Sequence, residues 1–365
     1  MFSFFSKQKS AIGLDISENT LRILQLQKTK DGIFPVAFFE QNLKKGIIED
    51  GNVKNAEELS KNIVKAMRRP AYGKFDSQYV VISLPDSKSF VRVISVPKMS
   101  EEEAKETVPL EAEQYIPVSI DQVYLDFEIL DKISAHSPDK MEVVIMATPI
   151  TLADGYLDAI KNSKLKPVGL ELESVAVVRS LIENDKKVDA TLVLDMSASR
   201  TNLIIYDQGS LQFTSSLPVA GNNMTSQIAQ RMTVTLEEAE KIKQQNGLLG
   251  LKSGKQIKEI LDPPLRSLVE AIKNSINFYQ EHSDGSRNIN KILLSGGGSK
   301  LKGLREYLNS QLKPVGQISG DFVEIGDPWI NVLDSKSGKV PPISKLDSVS
   351  YVTSIGLALR GLDME

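Results

Sequence analysis

Two stretches of the chain repeat one pattern: a run of apolar residues, a polar turn, and a second apolar run. Ala11 to Leu26 reads AIGLDISENTLRILQL, and Thr191 to Tyr206 reads TLVLDMSASRTNLIIY. A shift of 180 positions lays Leu14-Asp15-Ile16-Ser17 on Leu194-Asp195-Met196-Ser197, and Leu21, Ile23 and Leu24 on Thr201, Leu203 and Ile204. Each copy predicts a β-hairpin with one Asp at the end of its first strand. Two such hairpins half a chain apart predict a duplicated α/β architecture.

The pattern elsewhere fits that scheme. Ala56, Leu59, Ile63, Val64 and Met67 fall near helical spacing and predict an amphipathic helix over Asn55 to Arg69. Tyr79 to Pro85 and Phe90 to Val96 predict strands. Ser100, with Glu103 three residues on, reads as a capping box at a helix start. Pro109 and Pro117 bracket Glu111 to Ile116 and are expected to limit that helix. A strand over Met141 to Thr148, a helix over Leu152 to Ser163, a strand over Val168 to Glu171 and a helix ending near Glu183 follow. Ser77 to Lys166 together read as a compact β/α module between flanking pieces. In the second half, Thr235 and Glu238 form another capping box, and Pro263 and Pro264 mark the expected start of a helix over Leu265 to Glu281. Strand Lys291 to Ser295, the triplet Gly296-Gly297-Gly298 and a helix over Leu301 to Leu312 come next. Tyr351 to Arg360 is the final helix.

Composition narrows the class. The 365 residues are 41% hydrophobic and 25% charged, which suits a soluble globular protein of two or three domains. A net charge of −3 lacks the basic excess of a nucleic-acid binder, so no nucleic-acid partner is expected. Without cysteine there is no disulfide or thiolate metal site. His136 and His282 are too few for a multi-histidine centre and read as a solvated residue and a helix-end partner. No apolar run approaches the ~20 residues that span a bilayer, and Met1 to Lys7 is too short for a signal peptide, so a cytoplasmic protein is expected. Lys44-Lys45 and Arg68-Arg69 read as solvated faces, and Trp329 as a packed anchor. Phe2, Phe4 and Phe5 with Lys7 and Lys9 offer a weak membrane contact, outweighed by packing or disorder of so short a segment.

The chemistry sits in the turns. A strand, the glycines 296–298 and a helix start form a phosphate cradle, because glycine lets the backbone approach closely and a helix start offers N–H donors. Alone such a turn is usually a tight connection. The paired Asp-turns add to it: Asp15 and Asp195 would supply carboxylates for a magnesium ion held mostly through water, and Ser17, Asn19, Ser197, Ser199 and Thr201 would supply hydroxyl, amide and turn groups.

The order of these pieces resembles the actin, Hsp70 and sugar-kinase superfamily, in its FtsA/PilM branch, over nearly the whole chain. Ile12 to Ser17 resembles the first phosphate motif and Leu192 to Ser199 the second. Pro218 to Thr225, with Gly221, is similar to the "GG..lT" segment. Glu237 to Lys243, with Glu240 and Lys243, is similar to the AE.IK stretch that lies against the ribose. Leu294 to Ser299 resembles the adenosine motif, and Ser354 to Arg360 the closing helix. Glu111 to Pro117 is similar to the "E...YIP" of the PilM side of the branch, and Leu125-Asp126-Phe127 to its "lDy".

The resemblance implies an actin-like α/β fold, with two ribonuclease-H-like halves around an interdomain nucleotide cleft. Residues 1–76 would be 1A-like, 77–166 an inserted 1C-like module, 167–190 a return to 1A, 191–344 the second half, and 345–365 a closing helix packed on 1A. It implies ATP with Mg as ligand. It also implies a PilN-like bitopic inner-membrane partner, bound by its N-terminal segment and holding the protein at the inner face of the cell membrane. It thus implies an ATP-binding platform of type IV pilus or related secretion machinery, with pilus motor or platform components and self-association as further contacts. Ser17 and Ser197 depart from the glycine usual at these positions, which implies weak or absent hydrolysis. The water-polarising residue would fall at Glu171 or Glu173, and the residues leave that choice open. An FtsA-like division filament is one alternative, against which stands a chain ending five residues after Arg360, with no following amphipathic helix. A phosphotransferase or ATPase of the superfamily is the other.

Overall fold

The computed structural model describes residues 10–133, 139–183, 189–249, 253–282, 287–313, 321–333 and 340–364. The expectations for His136 and for Met1 to Lys9 lie outside them. In chain order the first elements are β1 (Ile12–Ile16), β2 (Thr20–Thr29), β3 (Gly32–Asn42), β4 (Ile48–Glu49), β5 (Asn52–Val53) and α1 (Ala56–Arg68). Then come β6 (Tyr72–Gly73), β7 (Tyr79–Leu84), β8 (Phe90–Pro97), α2 (Glu101–Ala112), β9 (Val123–Ile133) and β10 (Lys140–Pro149). They are followed by α3 (Ile150–Asn162), β11 (Lys166–Leu172), α4 (Glu173–Leu181), β12 (Thr191–Met196), β13 (Thr201–Asp207) and β14 (Ser210–Leu217). The rest are α5 (Gly221–Met232), α6 (Leu236–Asn246), α7 (Ser253–His282), β15 (Lys291–Ser295), α8 (Leu304–Gln311), β16 (Val323–Ile325), α9 (Lys345–Ser348) and α10 (Val352–Asp363).

The chain divides into two compact units. The first comprises Met1–Ser89, Thr148–Asn184 and Asp327–Glu365. Its six-stranded sheet runs β11-β7-β1-β2-β3-β6, with β1 antiparallel to β2 and parallel to β7. Helix α10 packs on β1 and β2 and against α4. That approach is close enough to require glycine: a Cβ on Gly13 would lie 2.1 Å from the Ser354 carbonyl oxygen, and one on Gly356 1.8 Å from that of Ala176. Trp329 is buried with Leu24, Ile355 and Leu362, the packed anchor expected of it.

The second unit comprises Phe90–Ala147 and Asp185–Gly326. Its five-stranded sheet runs β14-β13-β12-β15-β16 and buries Leu192, Leu194, Leu203 and Leu294 against α5, α7 and α8. A separate three-stranded sheet, β8-β10-β9, buries Ile94, Val143 and Ile145 beneath Ala104, Val108 and Ala112 of α2. This small sheet lies, in sequence, between Ser89 and Thr148 of the first unit. Of the stretch 77–166, residues 90–147 group with the second unit and the remainder with the first. Strand β7 pairs in parallel with β1, and α3 packs on α1 and β11, so both belong to the first unit.

Both hairpins form as the repeat predicts, with Asp15 paired to Arg22 and Asp195 to Asn202 in register. Both capping boxes form as well. The prolines act differently from expectation. Pro109 sits inside α2, and Pro263 and Pro264 sit inside the 30-residue α7. Ile257 and Leu261 before that pair, and Leu265, Leu268 and Ile272 after it, are all fully buried. Continuous burial of one apolar stripe offsets the ~3 kcal/mol that a proline costs inside a helix.

Candidate functional site

In the first unit the end of β1 carries Asp15, buried, which accepts a hydrogen bond from Ser83 Oγ at 3.2 Å on β7. Arg22, opposite it on β2, brings its guanidinium to 3.8 Å and pairs with Glu40 on β3 at 3.1 Å. Each of these pairs is also a cross-strand register pair, so Asp15, Arg22 and Glu40 form a charge row across three strands. Burial pushes the Asp15 carboxyl above its usual range, and Arg22 and Ser83 oppose that shift. The phenol of Tyr351 is pushed up by burial and by the charge of Glu40. Arg22 is a residue that the sequence reading missed. Only the strand register, not its position three residues past Asn19, shows that it faces Asp15.

The turn after Asp15 closes on itself. Ser17 N–H donates to the Thr20 carbonyl at 2.9 Å, and Ser17 Oγ lies 2.8 Å from Thr20 Oγ1 while accepting from Thr20 N–H at 3.2 Å. The second unit repeats the device 180 residues later. Ser197 N–H and Oγ both donate to the Arg200 carbonyl at 2.9 Å, and Arg200 N–H returns a bond to Ser197 Oγ at 3.1 Å. Both serines have negative φ. Neither position needs glycine for its conformation, and both hydroxyls serve the turn.

Glu171 and Glu173 separate clearly. Glu171 is buried, with both carboxylate oxygens taken by the Arg179 guanidinium and one shared with Arg360 at 3.1 Å. It ties β11, α4 and α10 together. Glu173 is half-buried at the first turn of α4, and its charge is felt, with those of Asp15 and Glu18, by the buried phenol of Tyr156. Burial is the main cause that pushes this phenol up. Tyr156 donates to the Gly51 carbonyl at 2.8 Å, and Glu18 accepts from Gly51 N–H at 3.1 Å. Glu171 is thus committed to packing, while Glu173 shares with Asp15 and Glu18 an effect on the Tyr156 phenol.

In the second unit Asp195, the last residue but one of β12, is buried beside Gly296. Gly296 takes a φ of +75°, and a Cβ there would lie 2.4 Å from the Met196 carbonyl oxygen and 2.8 Å from Asp195 Oδ1. A Cβ on Gly298 would lie 2.9 Å from that of Met196. Gly297 and Gly298 form a 3₁₀ turn with Ser299 and Lys300, so α8 begins at Leu304 rather than Leu301. The start of α5 is held on the serine turn by Gly221 N–H to the Ser197 carbonyl at 3.2 Å and Asn222 N–H to that of Ala198 at 2.8 Å. Lys243 Nζ donates to the Gly221 carbonyl at 3.0 Å and to Thr225 Oγ1 at 2.7 Å, and pairs with Glu240 at 2.7 Å. Burial would raise the Glu240 pKa, but the hydrogen bonds from Lys243 and Thr225 outweigh it and hold it below the usual carboxylate value. Thr201, fully buried, donates to the Val219 carbonyl and serves the sheet.

The structure thus gathers Asp195, Gly296 and Gly298 at one strand end, and Ser197, Gly221, Glu240 and Lys243 at the adjoining turn. Asn19 accepts Leu43 N–H on its backbone carbonyl at 2.8 Å, and Ser199 lies in the second turn. A backbone free of side chains beside a buried carboxylate, with a cation one turn away, is a donor set that fits a phosphate-bearing nucleotide.

Two α/β units, each with an Asp-ended hairpin at the centre of its sheet, define an actin-like protein. The MreB5 of Spiroplasma citri bound to ADP has this fold: the two match with a TM-score of 0.54 and 12% identity, over 98% of each chain. The family model for the type IV pilus assembly protein PilM matches residues 13–362, and the chain belongs to that family. The PilM–PilN type IV pilus biogenesis complex matches with a TM-score of 0.78 and 27% identity, covering 98% of this chain and 99% of that one. Cell division protein FtsA of Bacillus subtilis is 23% identical over 256 residues, which is 65% of this chain and 58% of that protein. The chain thus spans less than two thirds of the length of that curated relative. Among the described residues no helix is long and apolar enough to cross a membrane.

Proposed function

We propose that this protein is an ATP-binding platform of type IV pilus machinery that holds the cytoplasmic N-terminal segment of a PilN-like inner-membrane protein. The observation that carries this reading is the match, over nearly all of both chains, to a structure solved as a PilM–PilN complex. The MreB5 bound to ADP supports a nucleotide on this fold. Lys243 and Glu240 would meet the nucleotide from the second unit, and the backbone of Gly296 to Gly298 would let it approach closely. Asp195 would hold a magnesium ion through water, since magnesium beside phosphates keeps several waters, and Asp15 is the matching carboxylate of the first unit. Arg22 and Ser83 oppose the rise that burial imposes on the Asp15 pKa. The nucleotide acts as a conformational ligand, favouring one arrangement of the protein over another by its differential affinity.

The partner segment would dock on the module of β8, β9, β10 and α2. Helix α2 turns Glu102, Glu106, Leu110 and Glu113 outward, with Leu110 70% exposed. These four positions share one face. Such a face suits a segment that combines basic and apolar side chains.

The test is calorimetry of the full chain with a peptide copying the N-terminus of a PilN-like protein, with and without Mg-ATP. Saturable binding, weakened at least tenfold by Leu110→Glu with Glu106→Lys, is expected. Tight binding untouched by that pair would move the partner off α2. No binding at any nucleotide state would overturn the platform reading.

A further inference from the structure

Helix α1 lays a row of cations along an open cavity of the first unit. The cavity, about 570 Å³, is lined by Glu57, Ser60, Lys61, Val64, Lys65, Arg68 and Arg69, and by Asn162 at the end of α3. Lys61, Lys65 and Arg68 recur one helical turn apart, on the face opposite buried Leu59, Ile63 and Ala66, and Arg69 caps the helix. All four cations are exposed. Lys65 and Arg68 suit the negative end of the helix dipole, but Lys61, a turn and more before that end, does not need that explanation. Lys61 meets Glu57 at 2.7 Å, a fully exposed pair that exchanges readily for another anion. In a chain of net charge −3, this is a local basic surface on an acidic background.

We propose that this α1–α3 surface docks the protein directly on anionic lipid headgroups. The chemistry of the lining selects that occupant. A specific protein interface needs a buried apolar centre, usually with aromatic anchors, and among the described lining residues Val64 is the sole apolar side chain. A small free anion needs an enclosed, desolvated pocket, whereas these cations remain in water along an exposed helix. A field of anionic headgroups needs neither: each Lys or Arg near the surface adds its own attraction, about fivefold in affinity, and the sum is salt-sensitive. The site uses no residue of the proposed nucleotide or partner sites, so it stands or falls separately from them.

The test is flotation of the full-length protein with vesicles of phosphatidylcholine alone or with 30% phosphatidylglycerol, at low and moderate salt. Flotation is expected only with phosphatidylglycerol at low salt, and Lys65→Glu with Arg68→Glu should reduce it at least tenfold while circular dichroism and thermal midpoint stay unchanged. Lys61→Ala alone should reduce it about fivefold, which keeps the test open should the double reversal disturb the helix. Four results would overturn the proposal: no flotation by wild type, equal flotation with phosphatidylcholine alone, loss caused only by Lys7→Glu with Lys9→Glu in the N-terminal segment, or binding of a polyglutamate peptide in place of vesicles.

Discussion

Asp15 stands opposite Arg22 in the register of β1 and β2, and the arginine answers it with a guanidinium 3.8 Å from the carboxylate. Removing Arg22 leaves a buried acid without its compensating charge. Arg22→Met is expected to cost about 3 kcal/mol at neutral pH in urea unfolding, and the Arg22→Met, Asp15→Asn double variant clearly less. The pH dependence follows from the same pair. Burial raises the Asp15 pKa in the folded state, so its share of stability is full below the unfolded value of about 4 and is lost as pH rises through the folded value. Arg22 limits that loss, so stability of Arg22→Met should fall more steeply above pH 4 than that of wild type. Parallel curves would show that the two charges do not interact.

Glu171→Gln and Glu173→Gln should separate stability from function. Glu171 holds Arg179 and Arg360 from a buried position, and its loss strands two guanidinium groups. Glu171→Gln is expected to cost about 3 kcal/mol. Glu173→Gln should leave the unfolding midpoint nearly unchanged, and any ATP turnover of the pure protein should fall with it. Phosphate release and urea unfolding on the two variants provide the comparison.

Restoring the family glycines should not improve the turns. Ser17 and Ser197 each close a hairpin through side-chain hydrogen bonds, and glycine would remove these while adding freedom to the unfolded chain. Each Ser→Gly change is expected to cost about 1 kcal/mol. Calorimetry should show no gain in ATP affinity, because the hydroxyls are directed into their own turns. A rise in affinity in the double variant would show instead that the serine side chains obstruct the nucleotide.

Gly296→Ala tests the cradle. Its Cβ would meet the Met196 carbonyl oxygen and the Asp195 carboxylate at a φ of +75°. The backbone must move, so a cost of about 2–3 kcal/mol and a loss of at least tenfold in ATP affinity are expected. Gly209→Ala is the control: it also has a positive φ but nothing within 4 Å of an added Cβ, so it should cost about 1 kcal/mol with affinity intact.

The sequence by itself determined the features written over a few neighbouring residues. The two Asp-ended hairpins follow from apolar runs and polar turns repeated at a fixed shift. The helix starts at Ser100 and Thr235 follow from capping boxes four residues long. The strand over Lys291 to Ser295 and its glycine turn follow from an apolar run that stops at residues without side chains. The tertiary structure decided what depends on partners distant in the chain. Strand β3, which contains Pro35 and pairs with β2 across a bulge, was not visible in the pattern, and with it went the row joining Asp15, Arg22 and Glu40. Two arginines from α4 and α10 claim Glu171, and no local signal distinguishes it from Glu173. Pro263 and Pro264 read as a helix start, yet α7 runs through them, because core burial on both sides outweighs the backbone's local preference. Short-range patterns fix where strands and helices begin. Which charges meet depends on register and packing, and those are settled only when the whole core closes.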